Sequence, residues 1–218
     1  MMFPALAIFD LDNTLLECDS EALWSQFLYE KGLVDDDFRT RMRAYSLDYE
    51  MGRLDIHAYQ DHLLRPLTEL PAELLYAMRD LYLKIILTKV RPEIIQQVLR
   101  FREYGYTTML VTATNDFLAE PIARSLHFPL LISTRIKMDR NQFTTRLDGI
   151  PAYREGKVDL LEIWLNEKGR SLEGSWAFSD SYNDLPLLSR VDHPVAVYPD
   201  ANLYKHARLH GWEIVEPT

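Results

Sequence analysis

The sequence predicts an α/β protein with a Rossmann-like parallel sheet and an inserted small α-helical unit. After about residue 88, short apolar runs rich in β-branched residues alternate with helical patterns, which favours a parallel sheet with right-handed crossovers. Residues 16–87 have helical patterns almost throughout. We therefore expect a core of residues 1–15 and 88–218, with a helical insertion of residues 16–87 over the carboxyl ends of the strands.

The first half of the chain predicts one strand followed by helices. An apolar run at 5–9 has the length of a strand, and the first helix begins with a cap at Asp19 and ends at Gly32. Glycine and proline residues separate the helices that follow, at 35–51, 55–65 and 71–86.

The second half predicts helices and strands in alternation. Pro92 opens an amphipathic helix that ends at Gly105, and a strand rich in apolar and β-branched residues follows at 106–112. A hairpin is expected where segments 134–138 and 143–147 flank a polar stretch. The remaining predicted elements are helices at 115–126, 155–168 and 183–189, and strands at 129–133, 175–179 and 195–198.

Composition and charge limit the classes of function. A net charge of −9 and a sequence pI of about 5.2 leave no basic surface for nucleic acid, although a bound cation can still attract a phosphorylated small molecule. The single cysteine, Cys18, excludes an internal disulfide, fits a reducing compartment and favours a buried apolar role over a thiol nucleophile. The N-terminal apolar run is short and ends at Asp10, so we expect no signal peptide and no membrane span. We expect a cytoplasmic protein that is a monomer or a homodimer. The histidines show no metal-ligand spacing.

A pair of carboxylates ends the first predicted strand. Asp10 and Asp12 follow the apolar run with one residue between them, and Thr14 comes shortly after. Neighbouring carboxylates repel each other unless a cation lies between them. A strand end with an Asx-rich turn is the alternative interpretation, because Asp and Asn favour turns.

Polar side chains also follow two other predicted strands. In a doubly wound sheet the carboxyl ends of these strands share one crevice with the first. Carboxylates, hydroxyls, an amide and a lysine suit Mg²⁺ and a phosphate group, because Mg²⁺ prefers oxygen ligands and keeps phosphate and water in its shell. The residues are Thr112, Thr114 and Asn115 after one strand, Asp180, Asn183 and Asp184 after another, and Lys157 in the helix before the latter.

Four motifs, in order along nearly the whole chain, resemble those of the haloacid dehalogenase superfamily of phosphatases. The helical insertion after the first motif resembles the small C1-type cap of the phosphoserine-phosphatase-like branch. The chain departs from that branch at Thr114 and Asn115, where small glycine-containing residues are common. The motifs are Asp10-Leu-Asp-Asn-Thr14, Leu110-Val-Thr112, Lys157 and Asp180-Ser-Tyr-Asn-Asp184.

The resemblance implies a role for each motif residue. Asp10 would be the nucleophile that forms an aspartyl-phosphate, and Asp12 would protonate the leaving alcohol and then activate water. Thr112 and Lys157 would hold the phosphate oxygens. The resemblance also implies phosphate contacts by Thr14 and Asn183, and Mg²⁺ ligation by Asp10, Asp12, Asp180 and Asp184. The alternatives are helix caps for Thr14 and Asp184, or a pairing of Asp184 with Lys157.

Asp19 bears on the choice of substrate. In phosphoserine phosphatases a cap glutamate contacts the substrate ammonium and a cap arginine its carboxylate, and Asp19 fills the place of that acid. The place of the arginine falls near Asp61, and the neighbouring candidates for substrate binding, Arg53 and Arg65, are out of register. This favours an amino-bearing leaving group, such as the amino alcohol of histidinol phosphate, over phosphoserine. A simple helix cap is the alternative role for Asp19.

Together these patterns predict Mg²⁺-dependent hydrolysis of a small phosphorylated metabolite through an aspartyl-phosphate. A phosphotransferase that passes the phosphoryl group to an acceptor alcohol is one alternative. A non-catalytic binding protein that retains the fold is another, and the intact set of Asp10, Asp12, Lys157 and Asp180 speaks against it.

Overall fold

The computed structural model describes residues 4–216, so residues 1–3 and 217–218 of the predicted core lie outside the described residues. The strands are β1 (Leu6–Phe9), β2 (Thr107–Asn115), β3 (Leu130–Thr134), β4 (Ile136–Asp139), β5 (Gln142–Leu147), β6 (Trp176–Ser179), β7 (His193–Val197) and β8 (Glu213–Val215). Within residues 4–216, six of them form a parallel sheet in the order β3-β2-β1-β6-β7-β8, and β4 and β5 form an antiparallel hairpin. The predicted α/β fold with a Rossmann-like sheet is confirmed.

Helices flank the sheet, and a run of them separates its first two strands in the chain. The helices α1 to α5 lie between β1 and β2 in sequence. No helix among residues 4–216 is both long enough and apolar enough to span a membrane. The helices are α1 (Ser20–Glu30), α2 (Asp36–Glu50), α3 (Ile56–Leu63), α4 (Arg65–Glu69), α5 (Ala72–Ile86), α6 (Pro92–Glu103), α7 (Asp116–Ser125), α8 (Glu155–Lys168), α9 (Leu185–Leu188) and α10 (Ala201–His210).

The central strand β1 is buried on both faces, which explains its unbroken apolar sequence. Leu6 and Ile8 belong to the hydrophobic cluster on one face of the sheet, and Phe9 belongs to the cluster on the other. Phe9 stacks on Phe178 of β6 with ring centroids 4.5 Å apart. This packing fixes the position of the carboxyl end of β1, directly before Asp10.

Aromatic packing joins the helical segment to the rest of the molecule. Trp24 of α1 packs edge-on against Tyr82 of α5 and Phe117 of α7, with ring centroids 5.2 and 5.9 Å away. These rings belong to the same cluster as Phe9, so one continuous core extends from the sheet into α1 and α5. Burial of such large rings stabilises the position of α1 beside the carboxyl ends of the strands.

A tight turn before α8 directs Lys157 toward the end of β1. A Cβ atom at Gly156 would lie 2.0 Å from the backbone oxygen of Pro151, so the turn accepts only glycine. Arg154, just before α8, has a φ of 53°, in the left-handed region. The Lys157 amide donates to the Arg154 carbonyl at 3.1 Å, and the lysine thereby occupies the first turn of α8.

The structure differs from the sequence prediction in two places that matter. β2 runs to Asn115 instead of ending at Thr112, because its pairing with β3 shifts register between Val111 and Asn115. Such a bulge re-aims the side chains that it contains. The C-terminal pair α10 and β8 was not predicted, since β8 has three residues and is held by pairing with β7.

Candidate active site

A buried lysine lies between two carboxylates at the end of β1. Lys157 Nζ donates to Asp10 Oδ1 and to Asp184 Oδ2, both at 2.7 Å, and all three side chains are nearly inaccessible to solvent. Asp184 Oδ2 also accepts from the Ser179 hydroxyl at 2.7 Å. Burial raises the pKa of Asp10, Lys157 lowers it, and the charge of Asp184 raises it further. The second Asp10 oxygen, Oδ2, accepts no hydrogen bond from the residues that the structure describes.

Asp12 is held through both of its carboxylate oxygens. The Ser20 amide, at the start of α1, donates to Oδ1 at 2.7 Å, and the Thr114 hydroxyl donates to Oδ2 at 2.5 Å. Burial and the nearby charge of Asp19 raise the pKa of Asp12, and these two donors lower it. The two donors fix the carboxylate between α1 and the bulge of β2.

Thr14 pairs with Asp180, on the far side of Asp10. The Thr14 hydroxyl donates to Asp180 Oδ1 at 3.1 Å and accepts from the Asp180 amide at 3.0 Å. These two hydrogen bonds orient Asp180, and the phosphate contact of Thr14 stays a prediction. Burial and the negative charges of Asp10 and Asp184 raise the pKa of Asp180 well above its usual range.

The bulge of β2 supplies a chain of hydroxyl groups. Thr112 donates to the Thr114 hydroxyl at 3.1 Å, and Thr114 in turn donates to Asp12. Thr112 and Thr114 are both fully buried, and Thr114 also contacts the Ser20 hydroxyl at 3.2 Å. Thr114 stands where the resembled branch has small residues, and here its hydroxyl positions a carboxylate.

Asn115 links the sheet to the helical segment through a buried acid. Its backbone and side-chain N–H groups both donate to Glu21 Oε1 of α1, at 2.9 and 2.7 Å. Gln60 of α3 donates to the same carboxylate at 3.0 and 3.2 Å. Burial raises the pKa of Glu21 to about 7, and the hydrogen bonds from Gln60 and Asn115 lower it.

A cavity lies between the strand ends and the helical segment, and Asp19 lines it. On the strand side it is bounded by Asp10, Asp12 and Lys157, and on the helical side by Asp19 and by tyrosines of α2 and α3. Asp19 Oδ1 accepts from the Ala22 amide at 2.9 Å, so the residue is also the cap of α1. Its two expected roles are therefore compatible, because the cap uses one carboxylate oxygen.

Five of the predicted site residues do not line this cavity, and two of them are Thr14 and Asp180, which pair with each other. Arg53 pairs with Asp48 and is mostly exposed, and Arg65 lies 3.8 Å from Glu69 on the surface of α4. Both arginines were predicted to bind substrate, but Arg53, in the loop between α2 and α3, and Arg65, at the start of α4, lie at the surface away from this cavity. Asn183 was predicted to contact phosphate, but its Nδ2 donates to the Tyr49 carbonyl at 3.4 Å and its Oδ1 accepts from another tyrosine. It lies in an adjoining groove between the strand ends and α2.

Sequence reasoning missed several residues that the structure brings to the site. Glu21 was not predicted, and Thr114 was expected at the strand end but its contact with Asp12 was not. These contacts span 94 and 102 residues, and no local pattern reports such distant pairs. Three tyrosines of α2 and α3 line the cavity, and their helical spacing reads equally well as ordinary core packing. Gly156 lies directly before Lys157, and a glycine at this point of the sequence is a recognisable indication of a tight turn.

Comparisons with known proteins identify the family to which the sequence is similar. The family model of the haloacid dehalogenase-like hydrolases matches residues 7–189. A histidinol-phosphatase of Neisseria meningitidis is 36% identical over 216 residues, which cover 96% of this chain and 97% of that protein. A phosphoserine phosphatase of Mycobacterium tuberculosis is 31% identical over 221 residues, covering 96% of this chain and 70% of that protein.

Solved structures give the same fold. A crystal structure of a protein of unknown function from Bordetella pertussis superposes with a TM-score of 0.90 at 32% identity, covering 99% of both chains. A substrate-bound phosphoserine phosphatase has a TM-score of 0.75 at 16% identity, covering 100% of this chain and 95% of that one, and so shows the fold alone. The predicted enzyme class, a phosphatase, is confirmed by the named relatives. The chain belongs to the haloacid dehalogenase-like hydrolase family.

Proposed function

We propose that the protein hydrolyses a small phosphomonoester with Mg²⁺, through a phosphoryl group carried on Asp10. The observation that supports this most strongly is the position of Asp10: it lines the cavity, Lys157 binds its Oδ1 atom, and its Oδ2 atom accepts no hydrogen bond among the described residues. In this proposal residues 16–87 form the cap, and residues 1–15 and 88–218 form the catalytic core.

The reaction follows from the positions of Asp10 and Asp12. The free oxygen of Asp10 attacks phosphorus, the bond from phosphorus to the ester oxygen breaks, and Asp12 gives its proton to the leaving alkoxide. Asp12 then takes a proton from water as that water attacks phosphorus, and the bond to Asp10 breaks to release phosphate. Lys157 stabilises the charge that develops on the phosphoryl oxygens, and Thr112, which lines the cavity, would donate to them after its hydroxyl turns away from Thr114.

The donor set fits a hard divalent cation. Asp10, Asp180 and Asp184 are three neighbouring carboxylates, and Lys157 compensates only part of their charge. Among residues 4–216 no group of three or more His, Cys, Asp or Glu side chains forms a ready metal cluster. Mg²⁺ takes one or two carboxylates and completes its shell with water and substrate phosphate. Asp10, Asp180 and the Asp12 carbonyl would hold the ion, and the bound ion neutralises phosphate charge.

The two remaining predicted ligands have other partners. Asp184 Oδ2 is shared by Lys157 and Ser179, so we propose that Asp184 positions the lysine. Thr14 orients Asp180 through two hydrogen bonds. Both contacts support the cation site without touching the substrate.

The charge of the cavity favours an amino-bearing substrate. Asp19 lines the cavity with one carboxylate oxygen not used by the α1 cap, and no arginine lines it among the described residues. An ammonium group on the leaving alcohol would pair with Asp19, whereas a carboxylate there would have no cation to meet. A phosphorylated amino alcohol fits this pattern better than phosphoserine, and one similar protein is named a histidinol-phosphatase.

The proposal is tested by Mg²⁺-dependent phosphate release from a panel of phosphorylated metabolites. We expect hydrolysis by the wild type and none by Asp10→Asn, while Asp159→Asn, which changes an exposed carboxylate of α8, serves as the matched control. Adding an acceptor alcohol separates hydrolysis from phosphotransfer, because a transferase would yield the phosphorylated acceptor. Activity that survives Asp10→Asn, or phosphate release from no compound, would refute the proposal.

A further inference from the structure

The helical side of the cavity has an aromatic wall, formed by Tyr45, Tyr49 and Tyr59. Tyr45 and Tyr49 lie one helical turn apart on α2, and Tyr59 lies on α3. The rings of Tyr45 and Tyr59 are 5.6 Å apart and nearly perpendicular, at 78°. Leu54 and Ile56 line the same side, so apolar and aromatic carbon faces the phosphate-binding end.

The hydroxyl groups of the aromatic wall are occupied by other partners. Tyr45 donates to the Ala58 carbonyl at 3.1 Å, and Tyr49 donates to the Ser181 hydroxyl at 3.2 Å. The Tyr59 hydroxyl lies close to the Glu21 carboxylate, and burial of the ring together with the charge of that carboxylate raises the pKa of Tyr59. The Arg41 guanidinium lies 4.9 Å from the centroid of the Tyr45 ring, so the wall offers a ligand the ring carbon and π-electrons that face the cavity, and its polar ends help to hold it in place.

The charges around the wall restrict its occupant. Asp10, Asp12, Asp19, Glu21 and Asp184 line the cavity, and among the described lining residues Lys157 is the one cation. Lys157 is engaged by Asp10 and Asp184, and Glu21 by Gln60 and Asn115. A negatively charged group beside the wall would thus meet carboxylates without a counter-charge, whereas a cationic or neutral ring would not.

We propose that Tyr45, Tyr49 and Tyr59 form a subsite for a flat nitrogen heterocycle carried by the leaving group. The substrate class is then the phosphate ester of an amino alcohol with a ring such as imidazole, with its ammonium on Asp19 and its ring against the aromatic wall. Perpendicular tyrosines accept a third ring edge-to-face, and a protonated heterocycle adds a cation–π attraction. This inference rests on the proposed phosphatase function and extends it to the part of the substrate that does not react.

Binding to the inactive Asp10→Asn protein in Mg²⁺ tests the subsite apart from the chemistry. Calorimetry would compare three esters: histidinol phosphate, which has an amine and an imidazole; O-phosphoethanolamine, which has the amine alone; and phosphoserine, which has an amine and a carboxylate. We expect histidinol phosphate to bind roughly 10- to 100-fold more tightly than the other two, the range expected from one aromatic contact plus one cation–π contact. Equal dissociation constants, or tightest binding of phosphoserine, would overturn the subsite.

Two substitutions at one position identify the wall as the cause. With Asp10→Asn as background, Tyr45→Leu removes a ring, and Tyr45→Phe keeps the ring but loses the bond to Ala58. Tyr45→Leu should abolish most of the preference for histidinol phosphate and leave O-phosphoethanolamine binding unchanged, and Tyr45→Phe should retain the preference. An equal loss of affinity for both ligands in Tyr45→Leu would contradict the subsite. If that variant does not fold, the order of the three dissociation constants in the Asp10→Asn protein still decides the question.

The failure of the subsite and that of the proposed function give different results. If the wild type hydrolyses none of the esters while the Asp10→Asn protein still prefers the ring, the catalytic proposal fails and the subsite stands. If all are hydrolysed with equal kcat/KM and bound equally, the catalytic proposal stands and the subsite fails.

Discussion

Replacing Glu21 by glutamine should change how stability depends on pH. Glu21 is 5% exposed, and burial raises its pKa from 4.5 to about 7. Between these values the folded protein holds a proton that the unfolded chain has released. The ionisation of Glu21 therefore lowers the free energy of unfolding as the pH rises through this interval, by about 3 kcal/mol at 1.36 kcal/mol per pKa unit. Above pH 7 the contribution of Glu21 to the free energy of unfolding is constant.

Glutamine has the shape of glutamate but does not ionise, so it removes this pH dependence. The new amide oxygen can still accept from Asn115, and the Gln60 Oε1 atom, which lacks a partner, can accept from the new amide after the Gln60 amide rotates. We expect the stability of Glu21→Gln relative to wild type to rise by about 3 kcal/mol between pH 4.5 and 7.5.

Urea unfolding at constant ionic strength with chelator present measures this difference, followed by the fluorescence of the four tryptophans, of which Trp24 is buried. Glu30→Gln, an exposed change on the same helix, is the matched control and should show a constant difference from wild type. A difference for Glu21→Gln that stays flat across this range, or that falls, would refute the assignment of a raised pKa to this buried carboxyl.

Three further predictions concern the site itself. Lys157→Met should lower kcat by roughly 100- to 1000-fold, as loss of a preorganised charge does, and should cost about 3–5 kcal/mol in urea unfolding, because buried carboxylates lose their partner. Thr114→Val should lower kcat by roughly 10- to 150-fold with KM unchanged, because a hydrogen bond to the charged Asp12 is worth about 1.5–3 kcal/mol. Thr114→Ser should stay near wild type, and equal rates for the two variants would contradict this prediction. Mg²⁺ at about 100 times its Kd should stabilise the folded protein by about 2.7 kcal/mol and so raise Tm by about 5–10 °C. The rise should vanish in Asp180→Asn, and an equal rise in wild type and Asp180→Asn would place the ion elsewhere.

Local sequence patterns were sufficient to predict the fold, because the sheet and the helical insertion each have a recognisable sequence pattern. The apolar run of β1 is buried on both faces, and the insertion has caps where they were expected, as at Asp19. The C-terminal strand β8 escaped prediction because three residues carry little pattern and their strand conformation depends on pairing with β7.

The candidate site was predictable where a residue ends a strand and unpredictable where it acts across the chain. Asp10 and Asp180 follow strands, and parallel topology alone brings such ends together. The contact of Thr114 with Asp12 and the role of Thr14 at Asp180 depend on side-chain directions set by the β2 bulge and the turn after β1. The outward positions of Arg53 and Arg65 depend on how α2, α3 and α4 pack, which no local pattern reports.

The central claim, that Asp10 carries the phosphoryl group, is tested most directly by trapping that acyl phosphate. Rapid quenching during turnover, followed by borohydride reduction, converts a phosphorylated aspartate into homoserine, which peptide mass spectrometry locates. We predict homoserine at position 10 in wild type with substrate and Mg²⁺, and none without substrate or in Asp10→Asn. Sustained phosphate release with an unmodified Asp10 at every quench time, or homoserine at another aspartate, would contradict the account.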